Sequence, residues 1–248
     1  EVDEDTIKHF VNEVLPNVDP ITPFEASEIT RCKNQLKWGD EEQKWKRMPG
    51  TLNDVVEKFT KKDDRLVTVK GKVVIDENIE ILLGYMMHFM SNERIKDHIE
   101  ANGNTERTWE FDYKTHSCHC TSEVTGPIIA NRRFSGFQTW QKGWDGNSSS
   151  YVIAILPDVI SDDSKDKTST SKAVLASTTV LFVLETLASR VTRITQLQQT
   201  DLKLVGVIGD ILSNYATKYS FGTLHILYDK YQRREMEVDK ELRMAFVS

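Results

Sequence analysis

Apolar residues recur along this chain at two different spacings, and the change between them divides it. From Asn131 to Asp201 the runs NRRFSGFQTWQKGW (131–144), YVIAIL (151–156), AVLASTTVLFVLETL (173–187) and RVTRITQLQQTDL (190–202) read as four strands, being rich in β-branched and aromatic residues. NSSS (147–150) reads as a turn between the first two, and SDDSKDKTSTSK (161–172) as a polar surface loop before the third. Helical spacing then takes over. One long amphipathic helix is expected from about Val205 to Tyr231, with Ile208, Leu212, Tyr215 and Tyr219 on one face and Leu224, Leu227, Tyr228 and Tyr231 continuing it, and with Gly222 able to admit a bend. The charged RREMEVDKELRM (233–244) beyond it reads as a solvated tail.

The first half alternates between the two periods. Ile7, Phe10, Val11 and Val14 form a short amphipathic pattern ended by Pro16 and Pro20. A helix is expected from Thr22 to about Trp38, with Pro23 in its first turn and Glu25 three residues after Thr22 as a capping box. Val55–Phe59 and Leu66–Ile75 are β-like, with KKDD (61–64) as the hairpin turn between them. Asp76 then reads as a helix N-cap, followed by Ile79, Leu82, Leu83, Met86, Met87 and Met90 on one helical face. Two further extended runs, Thr108–Tyr113 and His116–Thr125, lead to Gly126-Pro127. This order implies a curved antiparallel sheet closed by a terminal helix, whose natural interior is a pocket for an apolar molecule.

Composition narrows the classes. A chain of 248 residues with 39% hydrophobic residues can bury a large core as one domain. A net charge of −6 with no long Lys/Arg cluster argues against nucleic-acid binding. The cysteines are Cys32, Cys118 and Cys120, an odd and sparse set that offers no disulfide framework and points to the cytoplasm. No stretch of about 20 apolar residues exists to span a bilayer. The chain opens on Glu1 instead of Met, from which additional domains in a longer parent chain are expected.

Catalytic and metal chemistry find little support. In His116-Ser117-Cys118-His119-Cys120 the alternate residues share a strand face, too widely spaced for compact tetrahedral coordination, and no second Cys/His pair lies elsewhere, so neither metal nor cofactor is expected. His88, His98 and His225 are isolated, and no nucleophile elbow or phosphate loop appears.

The residues resemble the steroidogenic-acute-regulatory-related lipid-transfer (START) domains over roughly Trp38 to Tyr231. Gly126-Pro127 precedes Asn131-Arg132-Arg133-Phe134 where the family has Asn-Arg-Asp-Phe, and Thr192-Arg193-Ile194-Thr195 followed by Asp201-Leu202-Lys203 is similar to a later strand motif, with Leu204 in place of a common Gly. After the Met-rich helix, Arg94-Ile95-Lys96-Asp97 stands where many members carry an Arg and a Trp-Asp pair, and the tryptophan is missing.

The resemblance implies an α+β helix-grip fold, with a curved antiparallel sheet around a lipid cavity and a C-terminal helix as partial lid. It divides the chain into an N-terminal helical extension (1–37), a lipid-binding domain (38–235) and a charged tail (236–248). It implies one bound lipid (sterol, phospholipid or sphingolipid), for transfer or sensing, with transient membrane-surface contact and no enzymatic activity. Met86, Met87, Arg94, Asp97, Arg132, Phe134, Trp140, Ile208, Leu212 and Tyr215 are the lipid-contact candidates, with Arg94 and Asp97 as polar anchors. The alternatives are a ligand-responsive interaction module of a larger signalling protein, or a cyclase or dehydratase of the same broad fold.

Overall fold

The computed structural model describes residues 7–39, 45–48, 55–63, 66–88, 91–111, 114–125, 130–158, 173–203 and 220–232. Its frame is one nine-stranded sheet: β1 (Lys46–Arg47), β2 (Glu57–Asp63), β3 (Leu66–Ile75), β4 (Arg107–Phe111), β5 (Ser117–Val124), β6 (Arg132–Trp144), β7 (Asn147–Pro157), β8 (Val174–Ala188) and β9 (Val191–Asp201). The spatial order is β1-β2-β3-β9-β8-β7-β6-β5-β4, and each pair of neighbours in it runs antiparallel. Where β7 ends, Arg132–Phe134 of β6 pair directly and in parallel with Val174–Ala176 of β8. The helices are α1 (Pro23–Gln35), α2 (Ile79–Met87), α3 (Asn92–Asn102) and α4 (Gly222–Tyr231), with a π-helical segment at Phe10–Val14.

Several local expectations shift by a few residues. The β6–β7 turn is Asp145-Gly146, not NSSS, because both residues take the positive φ that a two-residue hairpin turn needs (46° and 84°), so Asn147 to Ser150 become strand. β2 likewise runs on through Lys61 and Lys62 to Asp63, which pairs with Leu66, so three residues of the expected turn are strand and Asp64 lies outside the described residues. The N-cap of α2 is Asn78, two residues after Asp76. The α1 capping box is present as expected, but the helix stops at Gln35, with Lys37 at φ 53°. Of the expected terminal helix, residues 220–231 lie among those described, with α4 over Gly222–Tyr231; its earlier part, from Val205 to Tyr219, lies outside them, as does the tail.

Alternation along the central strands makes both faces apolar, since successive side chains point to opposite sides. On one face Val152, Ala154, Leu156, Leu181, Val183 and Leu197 receive Ile29, Cys32 and Leu36, so the segment set apart as an extension carries α1 onto the sheet. The Glu25 carboxylate fastens that contact: it accepts from the Thr22 N–H and hydroxyl, and across the chain from the His116 N–H (3.1 Å) and the Ser117 hydroxyl (2.7 Å). Those hydrogen bonds outweigh its burial, which acts the other way, and hold its pKa below the ordinary value. On the other face Tyr151, Ile153, Phe182, Leu184 and Ile194 meet α2, the N-terminal residues Phe10 and Val14, and Phe221, Leu224 and Leu227 of the C-terminal region. All of Ile79 and Leu82 to Met87 are buried, so that part of the Met-rich stripe faces an apolar partner as expected, while Met90 lies outside the described residues.

Candidate functional site

The gripping face of the sheet is filled only in part. On β6 and β9 one end carries large apolar residues in the core, while the other end carries mostly small or polar ones that face open space. On β9, Ile194 is followed on the same face by Gln196, Gln198 and Thr200; on β6, Trp140 is preceded by Gln138, Gly136, Phe134 and Arg132. The result is a cavity of about 360 Å³. Its floor is Ile153, Ile155, Val180 and Phe182 with Phe134; α2 contributes Met86, and α4 closes one side with Gly222, Thr223 and Ile226.

The polar residues of this cavity gather in two places. At the α3–β4 end stand Arg94, Asp97, His98, Asn102 and Arg107, beside Cys120. With Arg132 the lining carries three guanidinium groups and one carboxylate, a positive surface inside a chain of net charge −6. Asp97 accepts from the Tyr85 hydroxyl and pairs with Lys230 of α4 at 3.5 Å, while the Arg94 guanidinium and the Lys230 ammonium each lie 5.0 Å from the centre of the Tyr85 ring. Arg107 donates to the Arg94 carbonyl (3.3 Å), and burial together with the neighbouring Arg94 charge pushes its pKa down. The Thr105 hydroxyl donates to the Glu123 carbonyl, so it accepts from His98 Nε2–H at 2.9 Å. Burial first, then Arg107 and Arg94, push the His98 pKa down to about 4, so the imidazole is neutral at physiological pH.

The second polar group lies across the sheet on β8 and β9. Gln198 Nε2 donates to the Thr178 and Thr200 hydroxyls (3.3 and 3.0 Å), and Gln196 Nε2 donates to Gln198 Oε1 and to the Ser220 carbonyl, both at 2.7 Å. Arg132 is turned to backbone, donating to the Leu202 carbonyl (2.8 Å) and to that of Ala130.

Of the candidates named from sequence, Met86, Arg94, Asp97, Arg132 and Phe134 line the cavity. Met87 lies in the core, where its sulfur accepts from Gln138 Nε2 (3.1 Å). Trp140 shares the β6 face but sits in the core, 4.2 Å from the His116 ring and 6.0 Å from that of Tyr151. Ile208, Leu212 and Tyr215 lie outside the described residues. Sequence reasoning missed Arg107, His98, Gln138 and the β9 glutamines. A signal for the last was present, because the period-two face of β9 changes from Ile194 to Gln196, Gln198 and Thr200.

Among the described residues no group of His, Cys, Asp and Glu has the arrangement of a metal site. Burial pushes the Cys120 thiol up to about 12, far from nucleophile activation. No described helix is long and apolar enough to cross a membrane.

No family model matches the sequence, and no curated protein does. Solved structures do match in fold. The human StarD13 (DLC2) lipid transfer and protein localization domain aligns with a TM-score of 0.58 at 12% identity, covering 87% of this chain and 100% of that one. Human STARD10 aligns with a TM-score of 0.59 at 13% identity (95% and 89%), and human StAR-related lipid transfer protein 5 with 0.57 at 9% (84% and 96%). Nine strands in one curved sheet, the terminal helix held on its inner face and these three alignments lead to one conclusion: the chain has the helix-grip fold of the START domains.

Proposed function

We propose that this protein binds one amphipathic lipid in the cavity between the sheet and α4 and carries or senses it without chemical change. The observation that carries the reading is the composition of the cavity wall: a continuous apolar floor from β6 to β8 that ends in the Arg94–Arg107 cluster. About 360 Å³ lies within the roughly 300–1,000 Å³ typical of small-molecule sites. An acyl chain over Phe134, Ile155 and Phe182 gains about 0.8 kcal/mol for each CH₂ removed from water.

The head group is acidic in this reading. Burial first, and then the crowding of arginine charges, depress Arg107 and His98; a phosphate or carboxylate beside Arg94 and Arg107 offsets the second of these, and charge-assisted hydrogen bonds to it contribute about 1.5–3 kcal/mol each. Loading and release take place at a membrane surface, where the lipid leaves the bilayer without crossing bulk water.

Native mass spectrometry of the purified protein, followed by organic extraction, tests the reading. One lipid per chain, with acidic lipids enriched over their share of the host's membranes, is expected. A lipid-free protein that also fails to move a fluorescent phosphatidic acid between vesicles above the spontaneous rate would overturn it.

A further inference from the structure

His116 ties together parts of the chain that are distant in sequence. Its imidazole is buried and lies against the Trp140 ring, with 4.2 Å between centres. Nδ1 stands 3.0 Å from the Trp140 carbonyl of β6, and Nε2 stands 2.8 Å from the carbonyl of Asp19, in the connection between the π-helical segment and α1. A backbone carbonyl can only accept, so each contact needs a proton on the ring nitrogen, and neither neutral tautomer carries both. The surroundings suit a charged ring. The Glu25 carboxylate accepts from the His116 backbone N–H at 3.1 Å; against burial, which raises it, hydrogen bonds and the His116 charge hold the Glu25 pKa below its ordinary value. The Trp140 indole adds a π-system beside the cation. Asp19 and Lys114, the other charged residues on the adjoining segments, are exposed.

We infer that His116 is a proton-operated latch, which fastens the N-terminal segment to the sheet while its ring holds both protons and lets the Asp19 contact go when one is lost. The Trp140 carbonyl is fixed within β6, whereas Asp19 lies in an irregular connection, so the neutral ring keeps its proton on Nδ1 and turns a bare nitrogen to Asp19. Two acceptors then face each other with no proton between them, and the contact is lost. The latch closes at low pH and opens as pH rises. It sits where the chain crosses from one face of the sheet to the other: Phe10 and Val14 pack with α2 on the gripping face, and Ile29, Cys32 and Leu36 of α1 pack on the opposite one. Phe10 lies against Gly84 of α2 and edge-on to His88 at its C-cap, so freeing the segment uncovers the helix that supplies Met86 to the cavity. The inference stands on this geometry and does not depend on the lipid-binding reading.

Nuclear magnetic resonance on the unaltered, isotope-labelled protein tests both halves of this and needs no variant to fold. Long-range ring correlations show which of Nδ1 and Nε2 carries a proton, and amide exchange, expressed as protection factors so that base catalysis is divided out, reads the hold on the segment. At about pH 7.5, where an ordinary histidine side chain is mostly neutral, both His116 nitrogens are expected to be protonated. As pH is raised until the ring loses one proton, protection of the Asp19 amide, which donates to the Lys114 carbonyl at 3.1 Å, should fall several-fold while that of the core residue Ile153 holds. A bare His116 nitrogen at pH 7.5 overturns the inference, and so does a ring that titrates while the protection of Asp19 stays unchanged.

Discussion

Gly71 and Gln196 stand opposite each other in the β3–β9 ladder, and the start of the C-terminal helix rests on both. A Cβ on Gly71 would lie 2.7 Å from a methyl of Leu224 and 2.8 Å from the Phe221 ring, while Gln196 holds the Ser220 carbonyl at 2.7 Å. The absent side chain admits the helix, and the amide fixes where it begins. Gly71→Ala is therefore expected to overpack this contact and lower stability by about 1–3 kcal/mol, read as a fall in the urea midpoint. An unchanged midpoint would mean that Phe221 and Leu224 move aside freely.

The Asp97–Lys230 pair joins α3 to α4 across the cavity end, with the Tyr85 and Tyr231 rings 5.6 Å apart beside it. Both charges are partly exposed, so the pair adds little stability, about 0–1 kcal/mol. Its effect is expected in rate. Lys230→Ala should speed the exchange of a fluorescent lipid between protein and vesicles several-fold while the thermal midpoint barely moves; exchange at the original rate would show that α4 does not gate the cavity.

Arg94→Ala and Arg107→Ala should each weaken binding of phosphatidic acid by about 1.5–3 kcal/mol and leave a neutral sterol nearly unaffected. Titrating both lipids into each variant separates a head-group role from a structural one, because a collapsed cavity would lose both ligands together.

His98 makes stability fall on mild acidification. Its folded-state pKa of about 4 lies below the ordinary 6.5, so between these values the unfolded chain binds more protons than the folded one, and stability drops as pH falls through that window. His98→Gln keeps a donor near Thr105 without titrating. The loss in urea midpoint between pH 7 and pH 5 should be smaller in this variant; an identical loss would place the titrating group elsewhere.

The sequence alone determined what depends on neighbours along the chain. The four C-terminal strands were legible because β-branched and aromatic runs bounded by polar segments leave few other local solutions, and Thr22, Pro23 and Glu25 announced α1 through hydrogen bonds spanning three residues. Arg94, Asp97, Arg132 and Phe134 were found through a family resemblance. The tertiary structure decided everything that rests on distant partners. Met86 lines the cavity while Met87 is core, although they are adjacent apolar residues on one buried helix. Arg107 joins Arg94 only because β4 returns beside α3, and Gln196 meets the Ser220 carbonyl only because the chain returns to β9. Periodicity records which face of a strand is buried, but a filled core and an empty cavity present the same apolar face, and only the far side of the gap tells them apart.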